Sequence, residues 1–233
     1  MKRRFNNIAS RSRLLTRLLP LLLLLCAVGS TASAQTYDLG GGGLPTITGA
    51  LNGSVSGTSS TTQDLVVTVN FGEVSPLNAN NLVKIVVPIA IRSTNPYRVS
   101  VSLAGTFSGN LQAVQRSDIG FGVGNMRQMG NKSQDCSRSQ HLFRAPFNND
   151  PATNVTFDAN GRAAYPASLS NIAAASTVIL SGPTLTRGAI TKHEADNGYI
   201  FDAIFTIKPQ FYATGAFSGT LTFNISPGAN VPC

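Results

Sequence analysis

Two histidines, three cysteines and ten acidic residues are the groups with which this 233-residue chain could do bond-making chemistry. Catalysis needs such groups to converge. His141 and His193 stand far apart in the sequence, and each reads as a surface residue. His193, Glu194 and Asp196 could be imagined around a metal ion, but their spacing fits neither a zinc site nor a calcium loop. Asp196-Asn197-Gly198 is better explained as a turn. Gly120 to Gly124 (GFGVG) has the look of a phosphate loop but lacks the Lys-Ser/Thr pair and the following helix. No Gly-x-Ser-x-Gly elbow is present. No catalytic, cofactor-binding or metal-ligating residue is therefore assigned, and the chain is expected not to be an enzyme.

Sugar sites usually present flat aromatic rings. With no tryptophan and five tyrosines, the chain is poorly equipped for that chemistry. Tyr97 and Tyr199 fall within apolar alternations and read as core. A polar loop site within residues 125–150 stays open.

The elements that would position any site are strands. Leu65, Val67, Val69 and Phe71 alternate with more polar neighbours. So do Val83, Ile85, Val87, Ile89 and Ile91, and then Tyr97, Val99, Val101 and Leu103. A period of two marks half-buried strands. Turn residues separate the runs: Gly72, Pro76 and Asn78, then Ser93, Asn95 and Pro96. Residues 199–207 (YIFDAIFTI) and 219–225 (GTLTFNI) repeat the pattern. Asn160-Gly161 marks a hairpin. Residues 168–176 are ambiguous between a short helix and a connector, and residues 125–151 read as a long exposed loop. Pro88 has no N–H for a ladder, so its strand is expected at a sheet edge or with a bulge. Strands with one apolar face need a second layer. The fold class is all-β: an antiparallel immunoglobulin-like β-sandwich with a long mid-chain loop or insertion. Val67, Val87, Val101, Phe205 and Phe223 should meet in its core.

Residues 1–34 read as a secretory signal. Six basic residues precede an apolar run at 18–28, and Ala32-Ser33-Ala34 supplies the small residues before a cleavage point at Gln35. The run is too short for a membrane span, which needs about 20 apolar residues. With the six basic residues gone, twelve basic and ten acidic residues remain, so the high pI is no nucleic-acid footprint. The expected location is periplasmic, cell-surface or extracellular. An exported chain with two remaining cysteines favours a Cys136–Cys233 disulfide; free thiols and an intermolecular bond are the alternatives.

Residues 35–63 are rich in Gly, Ser and Thr, and Gly40 to Gly43 has the composition of a flexible linker. Within this arm Ile47, Gly49, Leu51, Gly53 and Val55 alternate with small polar residues. Three readings stay open: the first strand of the chain's own sandwich, a disordered linker, or a candidate donor strand that completes another molecule's sheet. The expected organisation is a signal at 1–34, an arm at 35–63 and a sandwich at 64–233.

The run VNFGEVSPLNANN followed by IVVPIAIRSTNPYRVSVSLAG resembles the early part of spore coat protein U and archaic chaperone–usher pilin domains. Phe71, Gly72, Pro76, Tyr97 and Gly105 sit at the corresponding places. Gly215, Phe217, Thr220 and Thr222 resemble the closing strand of that family. The resemblance covers about half of residues 35–233 and lacks the family's early cysteines. It implies a sandwich finished by a strand donated from a chaperone or a neighbouring subunit. The expected function is an exported, non-enzymatic structural or adhesive surface protein, a pilin-like subunit assembled by strand donation. The alternative is a stand-alone extracellular ligand- or carbohydrate-binding module. The expected partners are other copies of the chain or a periplasmic chaperone, with neither nucleic acid nor a stable membrane span.

Overall fold

The apolar alternations fold into the long strands of two antiparallel sheets, while glycines and prolines decide where those strands break. The computed structural model describes residues 37–49, 52–74, 82–93, 95–103, 108–109, 114–129, 141–159, 162–183, 198–209 and 215–229. Residues 35–233 form one compact unit; residues 1–34 lie outside the described residues. Among the described residues no helix is long and apolar enough to cross a membrane.

The first sheet contains β1 (Tyr37–Gly41), β5 (Val83–Ser93), β13 (Gly198–Ile207) and β8 (Ile119–Met129) in that order, with β2 (Thr46–Thr48) also on β5. The second runs β3 (Ser54–Ser59), β4 (Asp64–Val74), β14 (Gly215–Pro227), β6 (Tyr97–Leu103), β12 (Thr177–Gly182) and β9 (Leu142–Phe143), with β7 (Ser108–Gly109) beside β14. The sheets pack as a sandwich and do not close into a barrel. A small hairpin, β10 (Thr156–Phe157) with β11 (Ala163–Ala164), stands apart from both.

The five expected core residues are all buried in one cluster, together with Tyr97 and Tyr199. Strand β14 is the centre of the second sheet, with Phe223 opposite Leu65 on one side and Val101 on the other. The Phe71-Gly72 pair has a local cause. Gly72 has φ +71° in the left-handed region, and β4 carries an extra residue there against β14. That is a glycine bulge, which bends the strand where a side chain would be strained.

Several expectations change. Of the three readings open for residues 35–63, the described part follows the first, since β1, β2 and β3 belong to the chain's own two sheets. Residues 47–55 are not one strand, since β2 lies in the first sheet and β3 in the second. Gly49 turns the chain between them with φ +77°, and a Cβ there would overlap the carbonyl of Leu82. The strand holding Pro88 is neither an edge nor bulged, because β13 pairs with it in unbroken register from Ile207↔Val83 to Tyr199↔Ile91. The break falls in its other neighbour. Gly42 N–H donates to Pro88 C=O at 2.9 Å, and Pro88 cannot return the bond. The register shifts by two residues between Gly41↔Ile89 and Thr46↔Val86, which divides the N-terminal strand into β1 and β2. The residues after 125 also differ from a wholly exposed loop: β8 continues to Met129, and Phe147 is buried in the core. Residues 169–171 form one 3-10 turn, so the 168–176 stretch is a connector.

Candidate functional site

The groups considered for chemistry are scattered through the scaffold. His141 is only 5% exposed, which corrects its reading as a surface residue. It packs beside Tyr199, with ring centroids 4.4 Å apart, and Tyr97, at 6.1 Å. The tyrosines are held there because their apolar rings complete the core. Burial, reinforced by the charge of Tyr199, keeps the Tyr97 phenol well above its ordinary pKa. His193, Glu194 and Asp196 lie outside the described residues, as do Cys136 and Cys233. Among the described residues no three His, Cys, Asp or Glu side chains gather in a way that could hold a metal ion.

Four described carboxylates instead take basic partners; Asp38 on β1 faces Arg92 Nη1 at 3.8 Å, and the other three pairs are closer. Asp118, 1% exposed, accepts bonds from Arg162 Nη2 at 2.7 and 2.9 Å and from Nε at 3.0 Å. Asp150 pairs with Lys84 Nζ at 2.5 Å. Asp202 accepts from Arg127 Nη1 at 2.7 Å and from the side chain of Asn125 at 2.6 Å. The Asp118 and Asp150 pairs tie the segment 141–172 to the first sheet. The Asp202 pair pins the bulge in which Asn125 takes φ +54°.

That segment explains the glycines at 120–124. They lie within β8, with Phe121 and Val123 facing the core. On the opposite face the missing side chains leave room for the insertion. A Cβ on Gly120 would fall 2.5 Å from Thr206 Oγ1 and 2.6 Å from Tyr165. One on Gly122 would overlap the Asn149 carbonyl and lie 2.9 Å from Pro151 Cδ, whereas Gly124 has open space. The insertion also takes up the free edge of β8: Phe121 N–H donates to Ala167 C=O at 3.1 Å and Val123 N–H to Phe147 C=O at 2.7 Å. A pattern suggestive of phosphate binding is thus a lane for backbone packing.

The candidate donor residues lie along the N-terminal edge. Ile47 pairs with Ile85 and Val55 with Val69, both within the chain; Leu51 lies outside the described residues. Gly49 and Gly53 sit in the crossing between the sheets. The side chains that penetrate the core come earlier, from Tyr37 and Leu39, the latter 1% exposed. Sequence reasoning missed them because the glycine run that follows dominated the segment. The signal was the alternation Tyr37-x-Leu39 itself. Strand β1 bonds to β5 on one side, and on the other Leu39 N–H donates to Thr62 C=O at 2.8 Å.

No family model, curated protein or solved structure matches this chain.

The geometry therefore has to speak for itself. A short N-terminal strand contributes two core side chains, is broken by Pro88 at mid-length, and exposes Leu44 at 90% in the break. Such an element can be supplied equally well by its own chain or by another, because main-chain pairing and side-chain pockets are the same in both cases.

Proposed function

We propose that this is an exported, non-enzymatic structural or adhesive surface protein, a pilin-like subunit joined to its neighbours by strand donation. The observation that carries the reading is the placement of Tyr37 and Leu39. Their strand is an edge element at the N-terminal end of the described chain, yet its side chains fill the core between the two sheets. The resemblance of residues 69–105 and 215–222 to spore coat protein U and archaic pilin domains supports the same reading. The two-residue interruption at Pro88 makes the strand separable into two short pairings, which favours exchange between copies or with a chaperone.

Deletion of residues 35–49 tests it. The truncated protein is expected to lose stability, to regain it on addition of a synthetic peptide of residues 35–49, and to release that peptide slowly. The intact protein is expected to form chains at high concentration. An intact protein that stays monomeric by light scattering, with a truncated form indifferent to the peptide, refutes strand donation.

The second reading, a stand-alone carbohydrate-binding module, is favoured by the outer face of the second sheet. Thr68, Thr220, Thr222 and Asn224 alternate with core residues there, and Thr68 and Thr220 share a hydrogen bond at 3.0 Å. Retention of the protein on an insoluble neutral polysaccharide, abolished by Thr68→Lys with Thr220→Lys, would favour this alternative.

A further inference from the structure

Two sheets have four edges, and an uncovered edge is a template for pairing with another chain. The hydrogen-bond phase of each strand tells which backbone groups face outward, because alternate residues of an antiparallel pair bond to the neighbour. At β8 the outward N–H groups of Phe121 and Val123 are taken by Ala167 and Phe147. At β12 the outward carbonyl of Ile179 accepts from Arg144 at 2.9 Å, and β9 covers the strand further. At β1 the outward N–H of Leu39 is taken by Thr62.

The fourth edge is β3. Ser60 N–H donates to Asp64 C=O at 3.2 Å, which sets the phase of the β3–β4 hairpin. Ser54, Ser56 and Thr58 then bond toward β4, opposite Asn70, Thr68 and Val66. Val55, Gly57 and Ser59 direct their N–H and C=O groups outward, and no backbone group of the described residues bonds to them there. Five of the six β3 residues are exposed, and Val55 is half-buried. The strand holds an unbroken six-residue register and contains no charge, proline or bulge, the devices that ordinarily blunt an edge.

We propose that β3 is a homodimerisation edge: two copies join antiparallel through β3, extending the second sheet across a two-fold axis at Gly57. The occupant is a second copy because the edge suits itself. Centring the pair on Gly57 places Val55 of one copy opposite Ser59 of the other, and Ser56 opposite Thr58, so hydroxyl meets hydroxyl on the outer face and no like charges meet. The three outward residues of each copy would exchange roughly six main-chain hydrogen bonds. The area of two six-residue edges falls short of a stable interface, which sets the affinity in the micromolar-to-millimolar range. This edge is distinct from β1, and the inference does not depend on strand donation.

The test is amide hydrogen exchange with sedimentation velocity on the purified protein over a concentration series. In the monomer, the amides of Ser56 and Thr58 are expected to be protected and those of Val55, Gly57 and Ser59 to exchange freely. As dimer forms, the second set is expected to slow by about tenfold or more. Gly57→Pro removes an outward N–H while leaving the bonds to β4, and is expected to weaken the dimer by at least about tenfold. Ser56→Lys with Thr58→Lys, which places like charges across the axis and leaves the β3 backbone unchanged, serves if the proline variant fails to fold. Absence of self-association at millimolar protein overturns the proposal. So does self-association in which Val55, Gly57 and Ser59 stay exposed, or which survives the lysine pair.

Discussion

Replacing Gly122 by alanine tests whether the insertion is held by the glycine lane of β8. The added Cβ would occupy the place of the Asn149 carbonyl and press on Pro151. The opposing atoms are backbone and a proline ring, so the strain cannot be relieved by swinging a flexible side chain. Overpacking of this kind costs about 1–3 kcal/mol when the surroundings stay in place. If the insertion lifts instead, the bond from Val123 to Phe147 is lost at about 1 kcal/mol, together with part of the burial of Phe147. Complete loss of a buried Phe side chain costs about 3–5 kcal/mol, which bounds the effect from above. The expected destabilisation is about 3 kcal/mol by urea unfolding, with a reduced m-value if the insertion detaches in the folded state. Gly124→Ala on the same face is the control. Its Cβ meets nothing within 4 Å, so the cost should stay below about 0.5 kcal/mol. Equal losses at the two positions would refute the lane.

Phe223→Ala should cost about 3–5 kcal/mol in the same assay, since the ring is fully buried on the central strand. Stability should also fall in alkali: burial pushes the Tyr165 phenol up to about 12, against a slight lowering by the Lys208 N–H, and Tyr97 shifts the same way. A raised folded-state pKa favours folding fully below pH 10 and loses that advantage as pH rises toward 12. Thermal melts should therefore drop across this window by up to about 1.4 kcal/mol per pH unit for each such group, and Tyr165→Phe should flatten the slope. Under the proposed Cys136–Cys233 bond, both cysteines should resist thiol labelling in the denatured, unreduced protein, and labelling of both would refute the bond.

The strands at residues 65–103 and 199–225 were legible because each buries a single face, which writes a period of two into the side chains. The insertion was not, because its partners on β8 are glycines, where the informative atom is absent. Its core contact rests on single residues such as Phe147, which carry no periodicity. Pro88 shows a related limit. The missing N–H predicts a defect in the ladder, but the sequence cannot say whether the proline's own strand or its neighbour gives way. His141 was misplaced for a comparable reason: a polar stretch surrounds it in sequence, while in space two tyrosines from distant strands do. The strand that enters the core begins at Tyr37, about ten residues before the alternation at 47–55 that stands out in the sequence.

The position of β14 has a consequence for how the molecule is made. It separates β4 from β6, and it is the last described strand to leave the ribosome. Thr68 and Thr220, which touch across the β4–β14 pair, are 152 residues apart. At about 5–20 residues per second, β4 emerges on the order of ten seconds before its partner exists. Throughout that interval the slot between β4 and β6 is open, and Val67, Val69 and Val101 have no Phe223 or Leu221 beside them. The second sheet closes only when the final stretch arrives, so a nascent chain cannot complete its fold early. Its sticky intermediate has to be kept from its siblings until β14 has emerged.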